Sequence, residues 1–467
     1  MLDDALDRLA HRGPDGVGRC EVGDAQLMGH RRLAIIDPAN GHQPLTTPDG
    51  DALVANGMIY NDAALRAEIG SGAYATGTDS ESILHAVRKW GADAPRHLDG
   101  MFAFVYAAPG RVIAARDPLG KKPLYRVRIG DVTGFSSEVK AFDGVADEVV
   151  EFPPGHVYDS TRGMLRYYEV PDTDPVRRPT EDVVRDFREV LEAAVVKRLR
   201  SDVPLGALLS GGLDSSLVCA LARRHVDELH TFAVGLPGSE DLAAARLVAD
   251  HLGTIHHELV VDPDDVVRSM PDVVFHLESS DVDIVRSATM TWQVMRFAAE
   301  HVTVVLTGEG ADELFAGYRY YADYDDPEQL HAELRRSLSN MHNANLQRVD
   351  RMSMAHGVEA RVPFLDRAVI AEAMTIHPRL KQYAPGSDEL VEKWVLRAAA
   401  AGLLPDEVVW RTKAQFDEGS GTSTFLPSAA AAANLDEAQW YADLLDKRFA
   451  RPDQVDAVTG RWADGRV

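Results

Sequence analysis

Residues 204–222 read PLGALLSGGLDSSLVCALA, and this stretch decides the fold of the second half of the chain. Its apolar start, residues 205–209, predicts a buried strand, and the helix that follows is expected to begin near Asp214. The Ser-Gly-Gly turn at 210–212 brings backbone N–H groups close to a bound anion, and the helix N-terminus adds about half a positive charge. No lysine follows the glycines, so this is not the Walker A pattern. An ordinary glycine-rich connection is the alternative interpretation.

Strand and helix patterns alternate on both sides of this turn. Continuous apolar strands between amphipathic helices are typical of a parallel sheet that is covered on both faces. Ligands of such sheets bind beyond the carboxyl ends of the strands, and the Ser-Gly-Gly turn lies at such an end. The predicted strands are 205–209, 229–235, 255–261 and 302–306, and the predicted helices are 181–200, 215–225 and 241–252.

A second loop of the same kind, TGEGADE at 307–313, directly follows the strand 302–306. The glycines on both sides of Glu309 allow a sharp turn that aims its carboxylate into a cleft. Three acidic residues within five positions repel one another unless a cation or a basic partner lies there. A solvated acidic loop is the alternative, but the position after a buried strand favours a site.

Residues 1 to about 160 have a different pattern. Short β-rich segments separated by Gly, Pro, Asp and Asn predict antiparallel strands. Helices are predicted at 62–68 and 79–90, the second with a plausible N-cap region at 78–81. Four polar clusters each fit a turn or a capped strand end: HRGPD (11–15), HRRLAIID (30–37), NGMIYN (56–61) and ARDPLG (115–120).

Composition limits the possible functions. The 467 residues suffice for roughly two or three domains, and the formal net charge of −24 argues against a nucleic-acid partner. No apolar run is long enough to span a bilayer, and no signal segment starts the sequence. With Cys20 and Cys219 alone, a disulfide framework or a four-cysteine zinc site is excluded, and Cys219 is expected to serve packing. We expect a cytoplasmic protein without a membrane partner.

Taken together and in this order, the polar clusters resemble the glutaminase domain of class B asparagine synthetases. SGGLDSS (210–216) is similar to the pyrophosphate loop of ATP pyrophosphatases, and TGEGADE, QRVDRMSM (347–354), GVEARVPFLD (357–366) and WRTKAQF (410–416) match the synthetase half of that family. The resemblance implies an α/β protein. Residues 1–160 would form an N-terminal-nucleophile (Ntn) type αββα sandwich with its edge strand missing. Residues 161–467 would form the doubly wound parallel sheet of an ATP pyrophosphatase.

The resemblance also implies site residues and cofactors. The cofactors would be ATP and Mg²⁺. Glu309 and Lys413 would be catalytic, and Asp214 and Asp312 would hold the metal. ATP and pyrophosphate would contact Leu209, Ser210, Gly211, Gly212, Asp214, Ser215, Ser216, Val234, Thr307 and Gly308. The glutamine pocket would retain Arg32, Asn56, Gly57 and Asp79. The arginines and carboxylates of 347–366 are expected to form buried structural pairs.

The chain departs from the family pattern at two positions. The family nucleophile is a cysteine ahead of the HRGPD turn, whereas no cysteine precedes Arg12 here and Cys20 follows it. The family glutamate that recognises the α-amino group of glutamine is replaced by Met58, and a thioether cannot offset that positive charge. We therefore expect a glutamine-pocket remnant in an inactive glutaminase domain. A start codon assigned too late would explain the cysteine but not Met58.

The expected reaction is ATP-dependent amide formation. A carboxylate, aspartate or a related acid, attacks the α-phosphate of ATP, pyrophosphate leaves, and ammonia or another amine attacks the acyl-adenylate. Asp283 replaces a family threonine and could select an amine-bearing partner. The alternatives are lactam formation as in β-lactam synthetases, which carry tyrosine in place of Glu309, a truncated glutamine-dependent asparagine synthetase, and a non-catalytic protein that kept the fold. A homodimer is possible.

Overall fold

The computed structural model describes residues 1–24, 26–387, 389–411 and 422–459. These residues form a mixed α/β structure, with antiparallel sheets in the N-terminal part and a parallel sheet in the C-terminal part, as the sequence predicted. In these ranges, none of the helices is both long and apolar enough to cross a membrane.

The N-terminal part is built mainly from antiparallel strands. Its strands are β1 (Gly16–Val22), β2 (Gln26–Arg32), β3 (Leu45–Thr46), β4 (Ala52–Ile59), β5 (Gly100–Ala108), β6 (Arg111–Arg116), β7 (Tyr125–Ile129), β8 (Val132–Ser136), β9 (Glu148–Glu151), β10 (His156–Asp159) and β11 (Gly163–Arg166). Its helices are α1 (Leu2–Arg8), α2 (Asp62–Ile69), α3 (Ser80–Trp90) and α4 (Ala94–His97). The largest sheet has the order β11-β10-β6-β5-β4-β3, and β1–β2 and β8–β7–β9 form two smaller sheets.

Strand β5 lies at the centre of this part because its sequence, GMFAFVYAA, is apolar at nearly every position. On one face Phe102 and Phe104 pack against Ile83 of α3. On the other face Ala103 packs with Phe152, beside the β8–β7–β9 sheet. Helix α1 lies against β2, so the layers follow in the order helix, sheet, sheet, helix.

The C-terminal part contains a five-stranded parallel sheet. Its strands are β12 (Leu205–Leu208), β13 (His230–Gly235), β14 (Ile255–Val260), β15 (Val304–Leu306) and β16 (Glu359–Arg361). Its helices are α5 (Thr180–Arg198), α6 (Leu213–Arg223), α7 (Glu240–Leu252), α8 (Pro263–Leu277), α9 (Val282–Ala298), α10 (Ala311–Phe315), α11 (Pro327–Asn340), α12 (Asn345–Met354), α13 (Arg367–Thr375), α14 (Arg379–Gln382), α15 (Trp394–Ala400), α16 (Asp406–Val409), α17 (Thr422–Ala432), α18 (Glu437–Asp446) and α19 (Pro452–Asp456).

The strand order of this sheet, β14-β13-β12-β15-β16, places a ligand crevice at β12. From β12 the chain first adds β13 and β14 on one side, and later β15 and β16 on the other. Such a reversal leaves an open crevice beyond the carboxyl ends of the two strands that flank it. The Ser-Gly-Gly turn follows β12 and the TGEGADE loop follows β15, so both loops lie at this crevice.

Two details of the C-terminal part differ from the sequence prediction. Helix α6 begins at Leu213 rather than near Asp214 to Ser215, so Asp214 lies in its first turn. Strand β14 is half-exposed rather than buried, because it is the last strand of the sheet and carries His256, His257 and Glu258.

A group of buried charges, hereafter the interface network, joins the two parts of the chain. Arg351 on α12 donates to Glu278 at 2.9 Å and lies 3.1 Å from Glu138. Asp350, the preceding residue, accepts hydrogen bonds from Arg12 at 2.8 Å and Lys122 at 3.1 Å. The network consists of Arg12, Lys122, Glu138 and Lys140 from the N-terminal part and Glu278, Asp350 and Arg351 from the C-terminal part. The expectation that residues 347–366 contain buried Arg–carboxylate pairs is confirmed for Asp350 and Arg351.

Candidate active site

The Ser-Gly-Gly turn and the TGEGADE loop touch each other at the crevice. A Cβ atom on Gly308 would lie 2.9 Å from the Ser215 nitrogen and 3.0 Å from the Asp214 Cβ, so only glycine permits this approach. Gly211 has a φ of 75°, and a Cβ there would lie 2.6 Å from the backbone nitrogen of Ala245. The Ser-Gly-Gly turn is therefore packed closely against the TGEGADE loop at Gly308 and against α7 at Gly211.

Two carboxylates that the sequence placed in different loops share one cation. The Lys393 ammonium donates to Asp214 Oδ2 at 2.6 Å and lies 2.5 Å from Asp312 Oδ1. Burial opposes the charge of Lys393, but the two carboxylates outweigh burial and raise its pKa above the ordinary value. A Cβ on Gly317 would lie 2.0 Å from both the Asp312 carboxylate and the Lys393 side chain. Lys393 is thus the basic partner that the acidic loop required.

Glu309, the predicted catalytic residue, has a cationic neighbour. Arg348 on α12 donates to Glu309 Oε1 at 2.5 Å. The Arg348 side chain is buried, and that of Glu309 is about a quarter exposed. The carboxylate is therefore held at the edge of the crevice while part of it remains accessible.

Glu313, the last acidic residue of the loop, is held away from the crevice. It is buried, and it accepts hydrogen bonds from Tyr318 at 2.7 Å and Asn345 at 2.9 Å. Burial and then Asp312 raise its pKa to about 7. The partners of Glu313 indicate a structural role.

The predicted nucleotide-site residues lie at the carboxyl ends of neighbouring parallel strands. Leu209 is buried directly after β12, and its N–H donates to Phe232 on the adjacent β13. The Ser210 and Ser215 hydroxyl oxygens are 2.9 Å apart. Ser216 and Thr307 are buried, whereas Gly212, Val234 and Gly308 are half-exposed. Lys413 lies outside the described residues, so its predicted role has no structural counterpart here.

The predicted glutamine-pocket residues line one cavity of about 650 Å³ in the N-terminal part. Arg32, Asn56, Gly57 and Asp79 all contribute, together with Met58. The Asn56 side-chain nitrogen is buried without a hydrogen-bond partner among the described residues. Neither Cys20 nor Cys219 lines this cavity. The four predicted residues therefore share one cavity, and neither of the two cysteines lines it.

Asp79 occupies the N-cap position of α3, within the predicted N-cap region 78–81, but its side chain does not cap the helix. One carboxylate oxygen instead accepts the N–H of Ile59 on β4 at 2.7 Å. Burial, with a smaller contribution from Glu359 and Asp62, outweighs the hydrogen bond from Ile59 and raises the pKa of Asp79 to about 6.

The two cysteines and Asp283 differ in how far they are buried. Cys219 is buried on α6, and burial raises the pKa of its thiol to about 12, so the prediction of a packing role is supported. Cys20 is half-buried on β1. Asp283, which was expected to favour an amine, is exposed in the first turn of α9.

Sequence reasoning missed Lys393, and it expected Arg348 only in a buried structural pair, not as the partner of Glu309. Each of these two residues is distant along the chain from the carboxylate that it contacts. Lys393 is 179 residues from Asp214, and Arg348 is 39 residues from Glu309. The acidic loop did signal that a cation was needed, but a single lysine or arginine carries no local pattern that identifies it as that cation.

Comparison with protein families and known proteins gives consistent results. The asparagine synthase model matches residues 186–326 and 322–466, and the glutamine amidotransferase domain model matches residues 1–166. A probable glutamine-hydrolysing asparagine synthetase of Schizosaccharomyces pombe is 38% identical, over 97% of this chain and 91% of its own. Glutamine-hydrolysing asparagine synthetase 3 of Arabidopsis thaliana is 42% identical, over 89% of this chain and 75% of its own.

Among solved structures, the chain is similar to a glutamine phosphoribosylpyrophosphate amidotransferase of B. subtilis complexed with ADP and GMP. The match covers 54% of this chain and 77% of that one, at 17% identity and a TM-score of 0.30.

Proposed function

The chain belongs to the asparagine synthase family of ATP-dependent, amide-forming ligases, and on this premise we propose that it activates a carboxylate as its AMP ester. Ammonia or another amine then displaces AMP to give the amide. The observation that carries this proposal is the convergence of Asp214, Asp312 and Glu309 at the crevice between β12 and β15. We also propose a division near residue 160, with a glutaminase-like domain before it and a synthetase domain after it.

The two glycine-containing loops bind the nucleotide in this proposal. Pyrophosphate is the leaving group, and its charge requires N–H donors and cations. The Ser-Gly-Gly turn and the first turn of α6 supply the donors, because the N–H groups at a helix N-terminus have no partner within the helix. Lys393, and Lys413 in the family's role, supply cationic charge near the phosphates.

The residues at the crevice fit a Mg²⁺ ion. Asp214 Oδ1 is buried without a hydrogen-bond partner among the described residues, which is a costly state for a carboxylate oxygen and one that a metal ion would relieve. No group of three or more His, Cys, Asp or Glu side chains suited to a metal occurs in the described ranges. Mg²⁺, however, usually takes one or two carboxylates together with phosphates and water. Asp214 and Asp312 would hold it, and bound Mg²⁺ would neutralise charge that develops on pyrophosphate.

Glu309 and the nitrogen source complete the proposal. Glu309, partly exposed at the crevice, assists formation of the acyl-adenylate as in the family. The relatives are named glutamine-hydrolysing, but in this chain neither cysteine lines the pocket and Met58 occupies the family glutamate position. We therefore propose that ammonia or an amine, rather than glutamine, supplies the nitrogen.

An assay of AMP release tests the adenylation step. We expect AMP and pyrophosphate to form with ATP, Mg²⁺, aspartate or a related acid, and ammonium. Asp214→Asn and Glu309→Gln should each lower the rate about 100-fold or more, because each removes charge from the reacting centre. Asp227→Asn, at an exposed position, is the matched control. An Asp214→Asn protein that releases AMP at the wild-type rate would refute the proposal.

The same assay identifies the nitrogen source and distinguishes the proposed reaction from the alternative functions. Ammonium should support amide formation and glutamine should not, and a preference for glutamine would refute our view of the N-terminal part. AMP release from a single substrate without added amine would favour lactam formation, which Glu309 argues against. An unchanged amine preference in Asp283→Ala would remove that residue from substrate selection. Nucleotide binding without AMP formation would favour a non-catalytic protein.

A further inference from the structure

Helix α12 connects the interface network to the crevice through residues only two and three positions apart. Arg348 contacts Glu309 at the crevice. Asp350 and Arg351 contact Lys122 and Glu138 of the N-terminal part. All ten residues of α12 are buried, so this helix has little freedom to move independently of its partners.

The two residues that flank Glu309 have no side chains that could hold its carboxylate in place. Gly308 and Gly310 flank Glu309, and Gly310 has a φ of 98°, in the region that favours glycine. Glycine adopts many backbone conformations, so such a loop loses more freedom than most when it is fixed in one of them. The orientation of the Glu309 carboxylate therefore depends on a contact from outside the loop.

We propose that Arg348 is a positioning residue for Glu309 and that the N-terminal part fixes Arg348 through α12. The role given to Glu309 in this inference rests on the proposed function. The contacts of α12 with Glu309 and with the N-terminal part do not depend on which reaction the protein catalyses. The guanidinium is buried and rigidly mounted, so its hydrogen bond restrains the carboxylate more than an exposed ion pair would. The N-terminal part thereby contributes to synthesis without any glutaminase chemistry.

The first test compares Arg348→Met and Arg348→Lys with the wild-type protein. Amide hydrogen exchange of residues 308–310 should rise about tenfold in Arg348→Met, because the loop loses the restraint that Arg348 supplies. The rate of AMP release should fall about 100-fold, with the KM for ATP changed no more than about threefold, and Arg348→Lys should recover part of the rate. Arg335→Met, which removes an arginine bonded to the backbone of residues 170 and 171, is the control.

The second test examines the connection to the N-terminal part. Lys122→Met removes a buried partner of Asp350 and should raise exchange at 308–310 in the same direction. In a protein that already carries Arg348→Met, Lys122→Met should not raise amide exchange at 308–310 any further, because α12 no longer contacts Glu309 through Arg348. Additive effects of the two changes would overturn this connection.

The outcomes distinguish this inference from the proposed function. Exchange at 308–310 that is unchanged in Arg348→Met overturns the inference whether or not the protein releases AMP. A KM for ATP that rises in proportion to the loss of rate would also overturn it, since Arg348 would then act in binding. A wild-type protein that binds ATP but releases no AMP with any acid refutes the proposed function, while the exchange result still decides the positioning role.

Discussion

Asp79→Asn should make the protein more stable above pH 6, although it changes a residue of the predicted glutamine pocket. Asp79 is 4% exposed, and its pKa is raised from 3.8 to about 6. The unfolded state therefore loses the Asp79 proton at lower pH than the folded state does, and stability falls as pH rises between these values. About two pKa units at about 1.4 kcal/mol each give a penalty of about 3 kcal/mol, complete above pH 6.

The asparagine side chain removes this penalty and keeps the useful contact. Its carbonyl oxygen can accept the Ile59 N–H that the carboxylate accepts now. The gain should be near zero at pH 4, rise through pH 5, and reach about 3 kcal/mol at pH 8.

Thermal or urea unfolding of both proteins between pH 4 and 8 measures this difference. Asp131→Asn, at an exposed position, is the control and should leave the stability unchanged at every pH. If Asp79→Asn is less stable than the wild type at pH 8, or if its gain is the same at all pH values, burial of the charge is not what raises the pKa of Asp79.

Three further changes test other buried groups. Lys381 is buried with no hydrogen-bond partner among the described residues, and burial lowers its pKa from 10.5 to about 7. Lys381→Met should therefore stabilise the protein most at pH 6 and progressively less towards pH 10, and a gain that does not vary with pH in thermal melts would contradict this explanation. Lys393→Gln should increase affinity for Mn²⁺ without nucleotide about tenfold in calorimetric titration, because it removes a competing cation, and unchanged affinity would show that the metal lies elsewhere. Gly317→Ala places a Cβ 2.0 Å from the Asp312 carboxylate and should abolish AMP release, whereas Gly72→Ala, in open space, should not.

The sequence predicted the parts of the fold that depend on local pattern. The alternation of apolar strands and amphipathic helices indicated the parallel sheet, because burial on two faces needs continuous apolar strands. The glycines around Glu309 indicated a sharp turn, but not that Gly308 would approach Asp214 and Ser215 of the other loop so closely. Asp214 and Asp312 were paired by family resemblance, and Lys393 lies between them.

The features that the sequence did not predict depend on contacts between distant segments. Lys393 and Arg348 acquire their roles only when the start of α15 and helix α12 come together with the loops after β12 and β15. Asp79 directly precedes α3, but its side chain accepts the N–H of Ile59 on β4 and makes no capping hydrogen bond. Local propensity cannot rank such competing partners, since the competing partner is fixed by the tertiary fold.

The interface network has a consequence for how this protein can be divided. If a protease cut the connecting segment around residues 171–179, the salt links between Asp350 and Lys122 and between Arg351 and Glu138 would still hold the fragments together. Expressed alone, the C-terminal fragment would expose Glu278, Asp350 and Arg351 to solvent where they now meet opposite charge. The two fragments should therefore be soluble and functional when co-expressed as separate polypeptides, and poorly behaved when either is made without the other.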